Sequence, residues 1–252
     1  MYKRQEKVIA DIKDVSYLTK PDPSTDGLLP FVLHRLKCYQ SRIEQAGHAI
    51  KFAVSRGPLN IAAFLVDTTE FLTAIRTQPE QTHKLLGLVT DFVIDWLKLQ
   101  TNTFPSIDGI LILDDVVGFC GEGDFREMAL PYLKRIFQSF KVRVKFFHND
   151  AHGLVCAPYL KQMGVNLFNF SFQHSLAQMK ELTENEVTLL GNIPTHDVLS
   201  AGKAEDIHNA VKKTLDSVTD KRRIILSCGG GMPPDVSTEN IESFLSAVKK
   251  YS

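Results

Sequence analysis

Six short segments of this chain end in residues that can do chemistry. Asp114-Asp115 follows the apolar run GILIL. A carboxylate leaving a buried strand is costly unless it is paired or used. It reads either as a helix cap or as a substrate or metal contact, and alternation along a strand sends one of the two inward and the other away. His148-Asn149-Asp150 follows VRVKFF. Two residues apart at a strand end, His148 and Asp150 fall on one side, which suits a pair of metal ligands or an acid/base pair. Cys228 opens SCGGG, where a thiol is a candidate soft ligand, and Gly229 and Gly230 let backbone approach a ligand. Arg56, in SRGP, can grip a carboxylate with two parallel hydrogen bonds. Asn169 and Asn192 close two further segments and join Arg56, Asn149, Gly229 and Gly230 as candidate substrate contacts. The catalytic candidates are Asp114, Asp115 and His148; the metal candidates are His148, Asp150 and Cys228. The glycine run is not GxGxxG, so no nucleotide cofactor is expected.

The elements that must position these residues follow a strand-then-helix rhythm. Strands are predicted at Ala49–Val54, Gly109–Leu113, Val142–Phe147, Asn166–Phe170, Val187–Leu190 and Arg223–Leu226. Each is short and apolar, as buried parallel strands are. Three-to-four spacing predicts helices over Gln81–Lys98, Glu127–Phe140, Ala204–Val218 and Thr238–Tyr251. In the first of these Leu85, Leu88, Val89, Phe92 and Trp96 share a stripe. Alternating βα units imply a parallel sheet with right-handed crossovers. Functional groups then gather at the carboxyl ends of the strands. A closed barrel of this type needs eight strands, and six βα units are found. Before residue 49 there is only a Pro/Asp/Gly loop over Lys20–Pro30 and a helix over Phe31–Gln45. The fold expected is an α/β, TIM-type (β/α) barrel lacking its first two strands. Residues 1–252 form one domain, short at its N-terminus. A truncated form of a longer protein, a homodimer whose second copy covers the gap, or residues 1–48 folding back into it would account for the missing strands; the first two are favoured, because Lys20–Pro30 is too rich in Pro, Asp and Gly to pair as a central strand.

Composition narrows the class. Of 252 residues 44% are hydrophobic and 23% charged, with 29 Lys+Arg against 29 Asp+Glu. Zero net charge gives no footing for nucleic acid or an anionic membrane. The apolar runs fall far short of the about 20 residues a membrane span needs, and MYKRQEKVIA has no apolar signal region. The cysteines at 38, 120, 156 and 228 form no CxxC, so free thiols in a reducing cytoplasm are expected.

Several stretches resemble the uroporphyrinogen decarboxylase superfamily: GPLNIAAFLV, LPYLKRIF, FHNDAHG, LLGNIP and ILSCGGGMPPDVSTENIESFLSAV. The family's late G-N-[IL]-x-P corresponds to Gly191-Asn192-Ile193-Pro194. Its P-P-x-[TS]-x-E-N corresponds to Pro233-Pro234-Asp235-Val236-Ser237-Thr238-Glu239-Asn240. The match runs from about residue 15 to the end.

That resemblance implies a (β/α)8 barrel and one of two activities. One branch decarboxylates the acetate side chains of uroporphyrinogen without a cofactor. The other moves methyl groups between methylated substrates, corrinoid proteins and thiols, often with zinc. The chain departs from the decarboxylase branch in lacking the Arg-rich N-terminal stretch and the Asp that ends the second strand. Phe64 stands where that branch has Tyr, and Gly229-Gly230-Gly231 where it has Gly-His-Gly. Zinc members resemble His-x-Cys plus a cysteine in the last glycine turn. Here Asp150 replaces the first cysteine, and Cys228 stands two residues before the usual position, Gly230. The resemblance therefore implies a methyltransferase-like enzyme acting on a small-molecule substrate with a corrinoid protein as partner. Zinc would be held by His148, Asp150 and Cys228. Its alternatives are a decarboxylase and a non-catalytic barrel scaffold.

Overall fold

A computed structural model describes residues 8–252. Its centre is one all-parallel sheet of six strands in the order β1-β2-β3-β4-β5-β6. The strands are β1 (Phe52–Arg56), β2 (Gly109–Leu113), β3 (Val144–Asn149), β4 (Leu167–Phe170), β5 (Thr188–Leu190) and β6 (Ile224–Ile225). All six expected strands are present. Two are displaced toward their carboxyl ends, so that Ser55-Arg56 and His148-Asn149 lie inside strands rather than after them. The cause is pairing: Arg56 sits opposite Leu113, and His148 sits between Leu113 and Asn169.

Helices alternate with the strands. Ahead of the sheet stand a 3-10 turn (Ile12–Tyr17) and α1 (Leu29–Gln45). Residues 8–48 therefore add no strand, and among the described residues β1 and β6 are the two edges of an unclosed sheet. After β1 come α2 (Pro58–Val66), α3 (Thr68–Thr77) and α4 (Pro79–Thr103). After β2 a short α5 (Glu122–Asp124) and a π-turn (Phe125–Ala129) lead into α6 (Leu130–Gln138). The expected start at Glu127 falls in that π-turn. Next come α7 (Leu160–Met163), α8 (Leu176–Leu182), α9 (Ala204–Asp216) and α10 (Thr238–Tyr251). No described helix is long and apolar enough to cross a membrane.

Side chains alternate across the sheet, so it has two different faces. Ala53, Ile110, Ile112, Phe147, Phe168 and Leu189 are buried on the helix-covered face. The other face carries one register row through all six strands: Arg56, Leu113, His148, Asn169, Leu190 and Ile225. This face is the less covered one, with Val54 39% and Ile225 48% exposed at the two edges.

At Val54 the β1 edge is covered by side chains. The Val54 N–H donates to Gln100 Oε1 at 2.9 Å, and its carbonyl accepts from Trp96 Nε1 at 3.0 Å and Gln100 Nε2 at 3.1 Å. Trp96 and Gln100 stand four residues apart on α4 and so share a face. Together they supply, at Val54, the hydrogen bonds that a neighbouring strand would make there.

Candidate functional site

Parallel register brings the chemistry together. His148 lies in the middle of the row just described, and beside it stand Asp115, two residues past the end of β2, and Asp150, one past the end of β3. His148 Nε2 lies 3.7 Å from Asp115 Oδ1 and 3.7 Å from Asp150 Oδ2. The Asp150 backbone N–H reaches Asp115 Oδ1 at 3.3 Å. Among the described residues these three form the group of His, Cys, Asp and Glu side chains able to hold one ion, with ligand atoms within 4.8 Å of one another. Arg56 approaches from β1, its Nη1 3.6 Å from Asp115 Oδ2. His148 is mostly enclosed at 15% exposure, whereas Asp115 and Asp150 reach solvent. Burial, then the carboxylate of Asp115 beside it, raises Asp150 above the usual carboxylate range, and His148 opposes the rise.

Three electron-rich atoms converging on one point repel each other unless a proton or a cation sits among them. Tetrahedral zinc with bonds of about 2.0–2.2 Å keeps neighbouring ligand atoms about 3.3–3.6 Å apart. The 3.7 Å separations of His148 from each carboxylate therefore need to close by a few tenths of an ångström. One imidazole and two carboxylates make a hard donor set, suited to zinc or another divalent first-row ion. The residues present fit such an ion.

Cys228 does not join this group. Its Sγ lies 3.1 Å from the carbonyl of Gly230, and Asp115 takes the place expected for it. The glycine turn still matters: a Cβ on Gly230 would lie 2.8 Å from Asp150 Oδ2, and Gly230 has φ +118°. Gly229 is committed to structure, its N–H bonding Ile193 at 3.0 Å.

Asp114 turns away from the site, as alternation requires. It is fully buried and accepts the N–H groups of Leu59 and Asn60, at 2.9 and 3.0 Å, at the start of α2. Burial pushes its carboxyl up to about 8, against the pull of those two donors. The structure thus places Asp114, expected as a catalytic residue, apart from the cluster of Asp115, His148 and Asp150, where it caps α2 from another strand. Gly57 belongs to this contact, because a Cβ there would meet Asp114 Oδ2 at 2.2 Å.

The asparagines expected to bind substrate are largely occupied. Asn149 is buried, accepts the Ala151 N–H at 3.0 Å and reaches the Cys156 sulfur at 3.6 Å. Asn192 is also buried and donates to the His174 carbonyl. Asn169 contacts His148 Nδ1 at 2.7 Å through its oxygen. Burial pushes the thiols of Cys120 and Cys156 up to about 12, which leaves them inert.

Of two features of the rim, sequence reasoning found only His152, read as a loop-surface residue, which it is. His152 and His174 stand ring to ring at 5.6 Å beside the loops after β3 and β4. Phe119, Phe172 and Met232, on the loops after β2, β4 and β6, are 67%, 41% and 48% exposed. No periodic signal marks single apolar residues in loops.

Comparison with known proteins agrees with this architecture. The family model described as "Uroporphyrinogen decarboxylase (URO-D)" matches residues 4–251. Uroporphyrinogen decarboxylase of Chloroherpeton thalassium is 26% identical over 184 residues, covering 71% of this chain and 51% of that protein. The methylated-thiol–coenzyme M methyltransferase of Methanosarcina mazei is 22% identical over 235 residues, covering 92% of this chain and 62% of that protein. Among solved structures, a methyltransferase from Methanosarcina mazei superposes with a TM-score of 0.83. It is 20% identical and covers 97% of this chain and 71% of that one. That likeness shows the fold, a TIM-type barrel. The chain spans about half the length of the first of these relatives.

Proposed function

This chain belongs to the uroporphyrinogen decarboxylase (URO-D) family, and we propose that within it the protein is a metal-assisted methyltransferase rather than a decarboxylase. The observation that carries this reading is the convergence of Asp115, His148 and Asp150 on one point. A decarboxylase acting without a cofactor has no need of an ion seat there. Zinc, when bound, would supply a Lewis acid that lowers the pKa of a coordinated thiol or polarises a leaving group. His148 would contribute one nitrogen and the two aspartates one oxygen each. Arg56 would hold Asp115 from the far side, keeping the carboxylate aimed inward.

The substrate class follows from charge. A polycarboxylate needs several fixed cations. Here the guanidinium at the site, Arg56, is already engaged with Asp115. A small methylated thiol, amine or ether needs none, and an oxygen-rich ion seat suits any of the three. For the other methyl carrier we propose a corrinoid protein. The exposed Phe119, Phe172 and Met232 give such a partner an apolar rim to meet.

A decarboxylase remains the rival, favoured by the naming of relatives such as that of Chloroherpeton thalassium. One pair of assays separates the two. The zinc-loaded chain is given methylcobalamin and a small thiol, and loss of methylcobalamin absorbance is followed. The expected result is turnover above the protein-free rate that falls at least about 100-fold in His148→Ala. Release of carbon dioxide from uroporphyrinogen, with no demethylation of methylcobalamin, would replace this reading with the rival.

A further inference from the structure

We propose that Asn169 is a positioning residue, which makes Nδ1 of His148 a proton donor and so leaves Nε2 as the donor atom facing Asp115 and Asp150. The functional consequence rests on the metal reading above; the assignment of the proton does not. Asn169 is 5% exposed and neighbours His148 in the register row. Its side-chain nitrogen lies 2.6 Å from the carbonyl of Leu190 and 3.3 Å from that of Cys228. Carbonyl oxygens only accept, so the NH2 group must face them. Rotating the amide would press its oxygen against two others in a buried place. The orientation of the amide is thus fixed from strand β5 and from the glycine turn.

With the NH2 group placed, the amide oxygen faces Nδ1 at 2.7 Å. That contact requires Nδ1 to donate. Asp115 and Asp150 pull a proton toward Nε2, but they stand at 3.7 Å, beyond hydrogen-bond length. The neutral ring is therefore the Nδ1–H form, the minor tautomer of a free imidazole side chain. Its Nε2 lone pair points at the carboxylates, which is the arrangement a metal-ligating histidine needs. The carbonyl of Cys228, rather than its thiol, ties the glycine turn to this site.

The test reads the tautomer directly. Full-length, metal-free protein labelled with 15N in histidine is followed by long-range 1H–15N correlation up to a pH where the ring is neutral, with His148→Ala assigning the signal. The expected result is a neutral His148 protonated on Nδ1. A neutral ring protonated on Nε2 overturns the proposal, whatever the zinc affinity. In Asn169→Leu the proton is expected to move to Nε2, and zinc affinity, measured by calorimetry, to fall about 10- to 100-fold. Asn169→Asp, which retains an acceptor, is expected to keep the Nδ1–H form. An Asn169→Leu ring that stays in the Nδ1–H form also overturns the proposal. A chain that binds no zinc yet shows Nδ1–H removes the metal reading and leaves this one standing.

Discussion

At the scale of single residues, neighbours in sequence have separate duties. Asp114 and Asp115 share a type, but strand alternation gives one to the start of α2 and the other to the ion seat. Asp114→Ala strands two buried N–H donors, and a loss of roughly 3 kcal/mol is expected in denaturant unfolding. Asp115→Asn keeps the fold and gives up the anionic ligand, so its unfolding midpoint stays near the parent's while zinc affinity drops. An equal stability loss in the two variants would contradict this division of labour. Gly230→Ala places a methyl against Asp150 at a left-handed φ. It costs roughly 1–3 kcal/mol and weakens metal binding together with stability. Cys228→Ser is expected to leave zinc affinity unchanged, because the thiol is not one of the converging donors; a loss of 10-fold or more would restore Cys228 as a ligand.

At the scale of elements, the most informative contact is the seal on β1. Gln100 and Trp96 satisfy the outward N–H and C=O of Val54. Gln100→Leu should destabilise the chain by roughly 1–3 kcal/mol and raise its tendency to aggregate through the exposed edge, measured by unfolding and light scattering. Unchanged behaviour on both would mean that the edge needs no cover. The six strands were legible because short apolar runs ended in polar or glycine-rich turns. Helices α2 and α3 were not. Pro58–Val66 buries Leu59, Asn60, Ala62, Ala63 and Val66, so its pattern lacks the polar face by which a surface helix is recognised. The site was legible to the level of strand ends. Sequence placed Asp115, His148 and Asp150 correctly at those ends. It could not show that Cys228 turns toward Gly230, or that Asn149 and Asn192 spend their amides on backbone, because those facts depend on loop geometry between distant segments.

At the scale of the whole molecule, the sheet is open among the described residues and the core is divided. The main apolar cluster runs from the 3-10 turn at Ile12 through β5 and includes the helices after β1, β2 and β3. A second joins Ile193, Leu199, Ile207, Val211, Leu215 and Ala247 under α9 and α10, and a third joins Leu33, Trp96 and Phe104. Amides of α9 and α10 are therefore expected to exchange with solvent before those of β2 and β3, while uniform protection would indicate a single cooperative unit. The first two reach the site, since β2 and β3 carry the donors and the turn after β6 places Gly230 against Asp150. The most direct test of the account is metal stoichiometry by elemental analysis after zinc loading and desalting, on the parent chain and on His148→Ala and Asp150→Asn. One zinc per chain in the parent and little in either variant is the predicted result. No retained zinc in the parent, or equal retention in all three, would contradict the ion seat and the methyl-transfer reading built on it.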